Sequence, residues 1–360
     1  MARRAAVILA GGKAKRFQAK LGQLEDKALA LLFGKPLLIN IIERISNVVE
    51  EIIICVNDET RKARFSEMLQ FYSIRNVNIC IDEKIGYAKG PIVAITTGLK
   101  FTNADYCLTL PCDVPLIQPK VVDYLFKVAK GSQVTVPIWP DGGLESLIMV
   151  CERPTIVQIA DTLCELRRRR PDDIIRGSSK VLFVSTFSDI RNLDPDLKSF
   201  VNINIREDLA RFPTRVVVQG PVIENLRLNT SFIGESELKE LRTAARYHNR
   251  RKFLEASRRF SSSLTRSEER GLKFWAGISS ENEAKNLYNL SMRLKDTELR
   301  KDYKIKNKAL FIKAAQNYGL EAEIYAKNNI SFLAKHARTD QLWCQQRADA
   351  EIDFLRQCPS

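Results

Sequence analysis

Residues 7–17 read VILAGGKAKRF, and the first half of the chain is best read outward from this stretch. Val7, Ile8 and Leu9 have the short, β-branched, uninterrupted character of a strand buried on both faces. Gly11 and Gly12 at its end let the backbone turn sharply and pass close to a bound group. Amides exposed in such a turn, with Lys13, Lys15 and Arg16 behind them, form a concavity suited to phosphate. The same residues also suit an ordinary strand-to-helix turn with solvated lysines, so neighbouring segments must decide.

To about Pro213 the pattern alternates strand and helix. Strands are expected at 5–10, 51–56, 76–81, 105–110, 133–138, 145–151 and 181–184, with helices near 36–48, 60–72, 90–101, 118–130 and 154–169. This alternation predicts a mainly parallel sheet with right-handed crossovers, whose ligands lie beyond the carboxyl ends of its strands. Gly11, Gly12, Asn57, Asp82 and Asp113 all fall at or just after such an end. From 235 onward the texture is helical, with Ala245, Ala256, Ala315 and Ala326 interleaved among Tyr, Phe and Leu, as in helix hairpins of a bundle or short solenoid.

The 360 residues suffice for two domains, and 45% hydrophobic with 28% charged residues describes a soluble globular chain. No apolar run approaches the roughly 20 residues of a membrane span, and no signal peptide is read, so the expectation is a cytoplasmic protein. Eight cysteines without a C-x-x-C pair read as buried thiols, neither a zinc site nor a disulfide framework. With only His248 and His336 present, chemistry resting on a histidine base is disfavoured. The formal charge of +14 divides into +6 before Val216 and +8 from there on. An excess so spread suits small polyanions, and no nucleic-acid motif accompanies it.

Four further segments complete the pattern: EDKALALLFGKPLL (25–38), KGPIVAITTGL (89–99), LPCDVPLIQP (110–119) and SFVNINIREDL (199–209). Together with LAGG, in this order, they resemble the nucleotidyltransferases, and most closely the molybdenum cofactor guanylyltransferase family, over about residues 5–210. The resemblance implies a Rossmann-like, mainly parallel nucleotidyltransferase domain at 1–215. A linker at 216–234 and an α-helical domain at 235–360 are then expected to follow.

The implied reaction is transfer of GMP from GTP, or of another nucleotide such as CMP from CTP, with release of pyrophosphate. The acceptor implied is a phosphorylated molybdopterin-type cofactor, with a sugar phosphate or cobinamide phosphate as alternatives. By resemblance the amides of Gly11 and Gly12, with Arg16 and Lys27, hold the triphosphate. Leu9, Ala10 and Gly11 border the base, and Asn57 and Asp82 line the base and ribose. Asp113 ligates Mg²⁺, and Asn202 and Asn204 stand on the acceptor side or fix their loop. Asn57 and Asp82 equally have the ordinary reason for ending a strand, a turn.

Three departures from the family pattern matter. FQAKLGQLED separates Arg16 from Lys27, Glu145 stands where the family has an amide, and NIREDL lacks Thr-Pro. The arginine run 167–170 reads as an exposed helix end. A reading of another class is a nucleotide-sensing interaction module without turnover. The helices at 235–356 are expected to recruit a protein partner or mediate self-association, with a lid over the substrate as the competing reading.

Overall fold

The computed structural model describes residues 2–12, 26–85, 88–211 and 219–357. Lys13, Lys15, Arg16 and Cys358 fall outside them. Strand β1 (Arg4–Leu9) is followed by a small antiparallel hairpin, β2 (Leu31–Leu32) and β3 (Lys35–Pro36). The main sheet joins β1 to β4 (Glu51–Val56), β5 (Val77–Ile81), β6 (Tyr106–Pro111), β7 (Val134–Ile138), β8 (Met149–Glu152), β9 (Lys180–Ser185) and β10 (Leu226–Asn229). Its order is β10-β9-β7-β8-β6-β1-β4-β5. β1 pairs in parallel with β4 and β6, β4 with β5, and β7 with β9. β8 lies antiparallel between β6 and β7, and β10 closes one edge antiparallel to β9. Since β6 and β7 both oppose β8, the carboxyl ends of β1, β4, β5, β6, β7 and β9 share one edge.

Both faces of this sheet are covered, which is why its strands read as unbroken apolar runs. Ala6, Ile8, Ile52, Ile54, Leu108 and Leu110 point to one face. They pack there under α1 (Leu37–Ile45), α2 (Glu59–Phe71) and α4 (Pro119–Val128). The alternate residues Ala5, Val7, Ile53, Cys55 and Cys107 point to the other, under α3 (Pro91–Phe101) and α5 (Arg153–Glu165). Gly98 of α3 is required by closeness: a Cβ there would lie 2.2 Å from Val7 Cγ1 and 2.9 Å from Cys55 Sγ.

Short helices α6 (Asp172–Gly177) and α7 (Asp189–Leu193) flank β9. Beyond β10 the chain is helical: α8 (Glu235–Asn249), α9 (Phe253–Glu269), α10 (Lys273–Ser291), α11 (Thr297–Lys327) and α12 (Ser331–Gln357), each packed on the next. Their buried Phe260, Trp275, Phe311, Tyr318 and Tyr325 belong to the same apolar cluster as the α3–α5 face of the sheet. No helix among the described residues is long and apolar enough to cross a membrane.

Three elements differ from the sequence reading. Residues 216–234, expected as a linker, include β10, whose LRLN alternates apolar and polar but over only four residues, too short a run to announce a strand. Residues 145–148 form a turn, with Ile148 N donating to Glu145 O at 2.8 Å, so β8 starts only at Met149. The arginine run is a solvated helix end only in part: Arg167 and Arg169 are exposed, whereas Arg168 and Arg170 are half-buried. Arg168 pairs with Asp173 and Asp340, Arg170 pairs with Asp340, and Arg167 donates to Asn249. The seven cysteines among the described residues are free thiols, all buried except the half-buried Cys112.

Candidate active site

The shared carboxyl edge gathers what the sequence singled out. Leu9 O accepts from Cys112 N (3.3 Å) and Ala10 N donates to Cys55 O (2.9 Å), so the backbone leaving β1 is anchored on both neighbouring strands. Gly11 follows in a tight space, where a Cβ would stand 3.3 Å from Asp82 Oδ2 and 3.5 Å from Asn57 N. Gly12 faces open space. The turn after β1 is thus flanked directly by the residues that end β4 and β5.

Lys27 opens a 3₁₀ turn whose cap is Asp26, with Asp26 Oδ1 accepting from Ala28 N at 3.2 Å. Its ammonium donates to Asp113 Oδ2 at 2.8 Å and to Asn204 Oδ1 at 3.4 Å. Three segments far apart in sequence therefore meet at one cation. The second oxygen of Asp113, Oδ1, is buried without a hydrogen-bond partner among the described residues. The loop behind it is fixed by Ile203 N donating to Asp113 O (2.9 Å) and by Asp208 Oδ2 accepting from Asn204 N and Ile205 N. Asn202 is not drawn to Lys27; its amide donates to Phe200 O at 3.4 Å and braces its own loop.

Asp82 sits half-buried, its Oδ1 without a hydrogen-bond partner among the described residues. Burial pushes its carboxyl up to about 6, with the Arg61 guanidinium pulling the other way. Arg61 is the residue the sequence reading missed. It donates to Asn57 Oδ1 (2.8 Å) and Gly12 O (3.2 Å), and its Nε lies 2.5 Å from Asp26 Oδ2. One side chain thereby ties the glycine turn, the end of β4 and the Lys27 segment together. A signal existed: Arg61 stands in the first turn of α2, capped by Asp58, where the helix dipole disfavours a cation.

An oxygen left bare in a buried carboxylate costs free energy unless something satisfies it. A divalent cation is one such partner, and Mg²⁺ is typically held by one or two carboxylates plus phosphate oxygens. Among the described residues no three His, Cys, Asp or Glu side chains gather into an all-protein metal cage. Asp113 fits a metal shared with a substrate phosphate.

A mostly parallel sheet with these segments along its carboxyl edge is the framework of a nucleotidyltransferase. The MobA-like NTP transferase domain profile matches residues 6–181. The chain belongs to that family and is an enzyme of the molybdenum cofactor guanylyltransferase kind. A probable molybdenum cofactor guanylyltransferase of Methanosarcina acetivorans is 32% identical over 207 residues, 57% of this chain and 88% of that protein. The molybdenum cofactor guanylyltransferase of Shewanella sp. strain MR-4 is 30% identical over 212 residues, 59% of this chain and 95% of that one. Among solved structures, molybdopterin-guanine dinucleotide biosynthesis protein A of Archaeoglobus fulgidus is 22% identical, with a TM-score of 0.47. That match covers 58% of this chain and 95% of the other. These matches leave the helical C-terminal part unaccounted for.

Proposed function

We propose that the chain transfers GMP from GTP to the phosphate of a molybdopterin-type cofactor, with Mg²⁺, in the cytoplasm. An acceptor phosphate oxygen attacks the α-phosphorus, the bond from that phosphorus to the bridging oxygen breaks, and pyrophosphate leaves. Both reactants are anions, so positioning and charge neutralisation carry the catalysis. The observation that supports this reading best is Lys27 on Asp113, with the other Asp113 oxygen bare.

In this reading the amides of Gly11 and Gly12, with Arg16 and Lys27, neutralise the triphosphate as charge passes to the departing pyrophosphate. Asp113 holds the metal, which when bound neutralises phosphate charge. Leu9, Ala10 and Gly11 border the guanine, and Asn57 and Asp82, kept in place by Arg61, line the base and ribose. Asn204, with Asn202 bracing its loop, stands on the acceptor side. The catalytic unit is residues 1–215, with 235–360 as an attached helical unit. Free, buried thiols support the cytoplasmic assignment.

The deciding experiment incubates the protein with each NTP, Mg²⁺ and candidate acceptors, following pyrophosphate. Turnover is expected with GTP and molybdopterin. Robust turnover with a sugar phosphate and none with molybdopterin would overturn the assignment.

A further inference from the structure

The helical C-terminal part meets the carboxyl edge of the sheet at the loop leaving β7. Ile138 ends that strand, and the following Trp139–Gly143 turn is closed by Trp139 N donating to Gly143 O (2.8 Å) and Gly142 N to Trp139 O (2.9 Å). The turn between α11 and α12 clasps it from outside. Ser331 Oγ donates to Asp141 O at 2.7 Å, and Phe332 N donates to Gly142 O at 3.2 Å. Gly142 adopts φ +81°, and a Cβ there would lie 2.2 Å from Asn329 O and 2.6 Å from Ser331 N. Contact this close allows only glycine, so the clasp is built into the backbone of both partners.

The other side of the same loop packs on Phe200, just before the segment that is bonded to Asp113. Trp139 Nε1 donates to Glu145 Oε1 at 2.7 Å, which sets the indole, and the ring meets Phe200 edge-on with centroids 5.6 Å apart. From Phe200, whose carbonyl accepts from Asn202, the chain runs on to Ile203, bonded to Asp113 O, and Asn204, bonded to Lys27. Glu145, which stands in place of the family's amide, thus serves locally as the acceptor of the indole N–H.

We infer that the α11–α12 turn is part of the acceptor-side scaffold: Ser331 and Gly142 are positioning residues that hold the Trp139 loop and, through Phe200, the Asn202–Asn204 segment. This rests on the proposed assignment of the acceptor to that side. The helices are then needed to shape the acceptor site and not to bind the nucleotide.

The test uses full-length Ser331→Ala, which removes the bond to Asp141, Ser331→Thr, which keeps a hydroxyl, and Gly142→Ala. Amide hydrogen exchange and steady-state kinetics are read together. For Ser331→Ala, faster exchange is expected at 139–145 and also at 200–204. The acceptor KM should rise about tenfold while the GTP KM stays within about twofold. Ser331→Thr should restore both readouts. If Gly142→Ala fails to fold, Ser331→Ala decides alone. Faster exchange confined to 139–145, or GTP and acceptor KM values moving together, would overturn the inference. Absence of turnover by the parent with any acceptor would count against the assigned reaction instead, and exchange at 200–204 would still decide this inference.

Discussion

At the scale of single residues, the chemistry concentrates on Lys27, Asp113 and Asp82. If Asp113 holds the metal, Asp113→Asn keeps the shape and the Lys27 contact but loses the ligand charge. Turnover should then fall on the order of a hundredfold or more, with nucleotide binding largely retained. Pyrophosphate release measured against Mg²⁺ concentration checks this, and an unaffected rate would remove Asp113 from the site. Asp82 gives a pH test. Its carboxyl, raised from 3.8 to about 6 by burial, binds its proton more tightly in the folded chain than in the unfolded one. Stability therefore falls as pH rises through that interval. Asp82→Asn is expected to be more stable than the parent at about pH 8 by a margin that closes near about pH 4, read from denaturant midpoints. A margin independent of pH would refute the assignment of the shift. Asn57, Asp82 and Asp113 were legible in the sequence because each ends an apolar run, and a strand end in a parallel sheet has one place to be. Arg61 was not: its charge in the first turn of α2 is a local signal, but its three partners lie on three segments that only the fold brings together.

At the scale of elements, the parallel strands were readable because both faces are buried and the pattern is unbroken. β10 was not, because an edge strand with exposed Arg227 and half-buried leucines carries no such pattern. Nor was the partial burial of Arg168 and Arg170, since their carboxylate partner Asp340 lies on α12, roughly half the chain away. Gly98 shows the same limit from the other side: a glycine inside a predicted helix is a propensity loss until the strand beneath it is known. Its role yields a prediction. Gly98→Ala improves helix propensity yet drives a methyl group into Val7 and Cys55, so overpacking should win. A net loss of about 1–3 kcal/mol is expected by chemical denaturation, with lowered nucleotide affinity as β1 and its glycine turn shift. A stabilised variant would show that α3 has room to lift off the sheet.

At the scale of the whole molecule, the question is how firmly the helices and the sheet belong together. They share an apolar cluster, and a buried ionic network crosses the boundary between them. Arg176 of α6 donates to Glu321 of α11 through two bonds of 2.7 Å and to Asp340 of α12 at 2.7 Å, while Trp275 of α10 donates to Gly177 O at 3.1 Å. Burial pushes the Asp340 carboxyl up, but Arg168, Arg176 and Arg170 outweigh it and hold it well below its ordinary range. A depressed acid contributes stability above its unfolded pKa of 3.8 and loses it as pH falls below that. Asp340→Asn leaves buried guanidinium groups short of a counter-charge and should cost on the order of 3 kcal/mol at neutral pH. The parent's margin over the variant should narrow in acid. From sequence alone every phosphate motif lies before residue 210, which predicts that a chain ending near Gly220 folds and transfers nucleotide. The structure leads to a different expectation for that truncation. It would strip β10 from β9, uncover the α5 face that α8 and α10 bury, and strand Arg168, Arg176 and Asp173 at a new surface. An exposed apolar face of this size promotes association. The truncated chain is therefore expected to aggregate, checked by size-exclusion chromatography. A monodisperse truncated protein with the parent's transfer rate would show instead that the helices are an independent unit merely resting on the catalytic one.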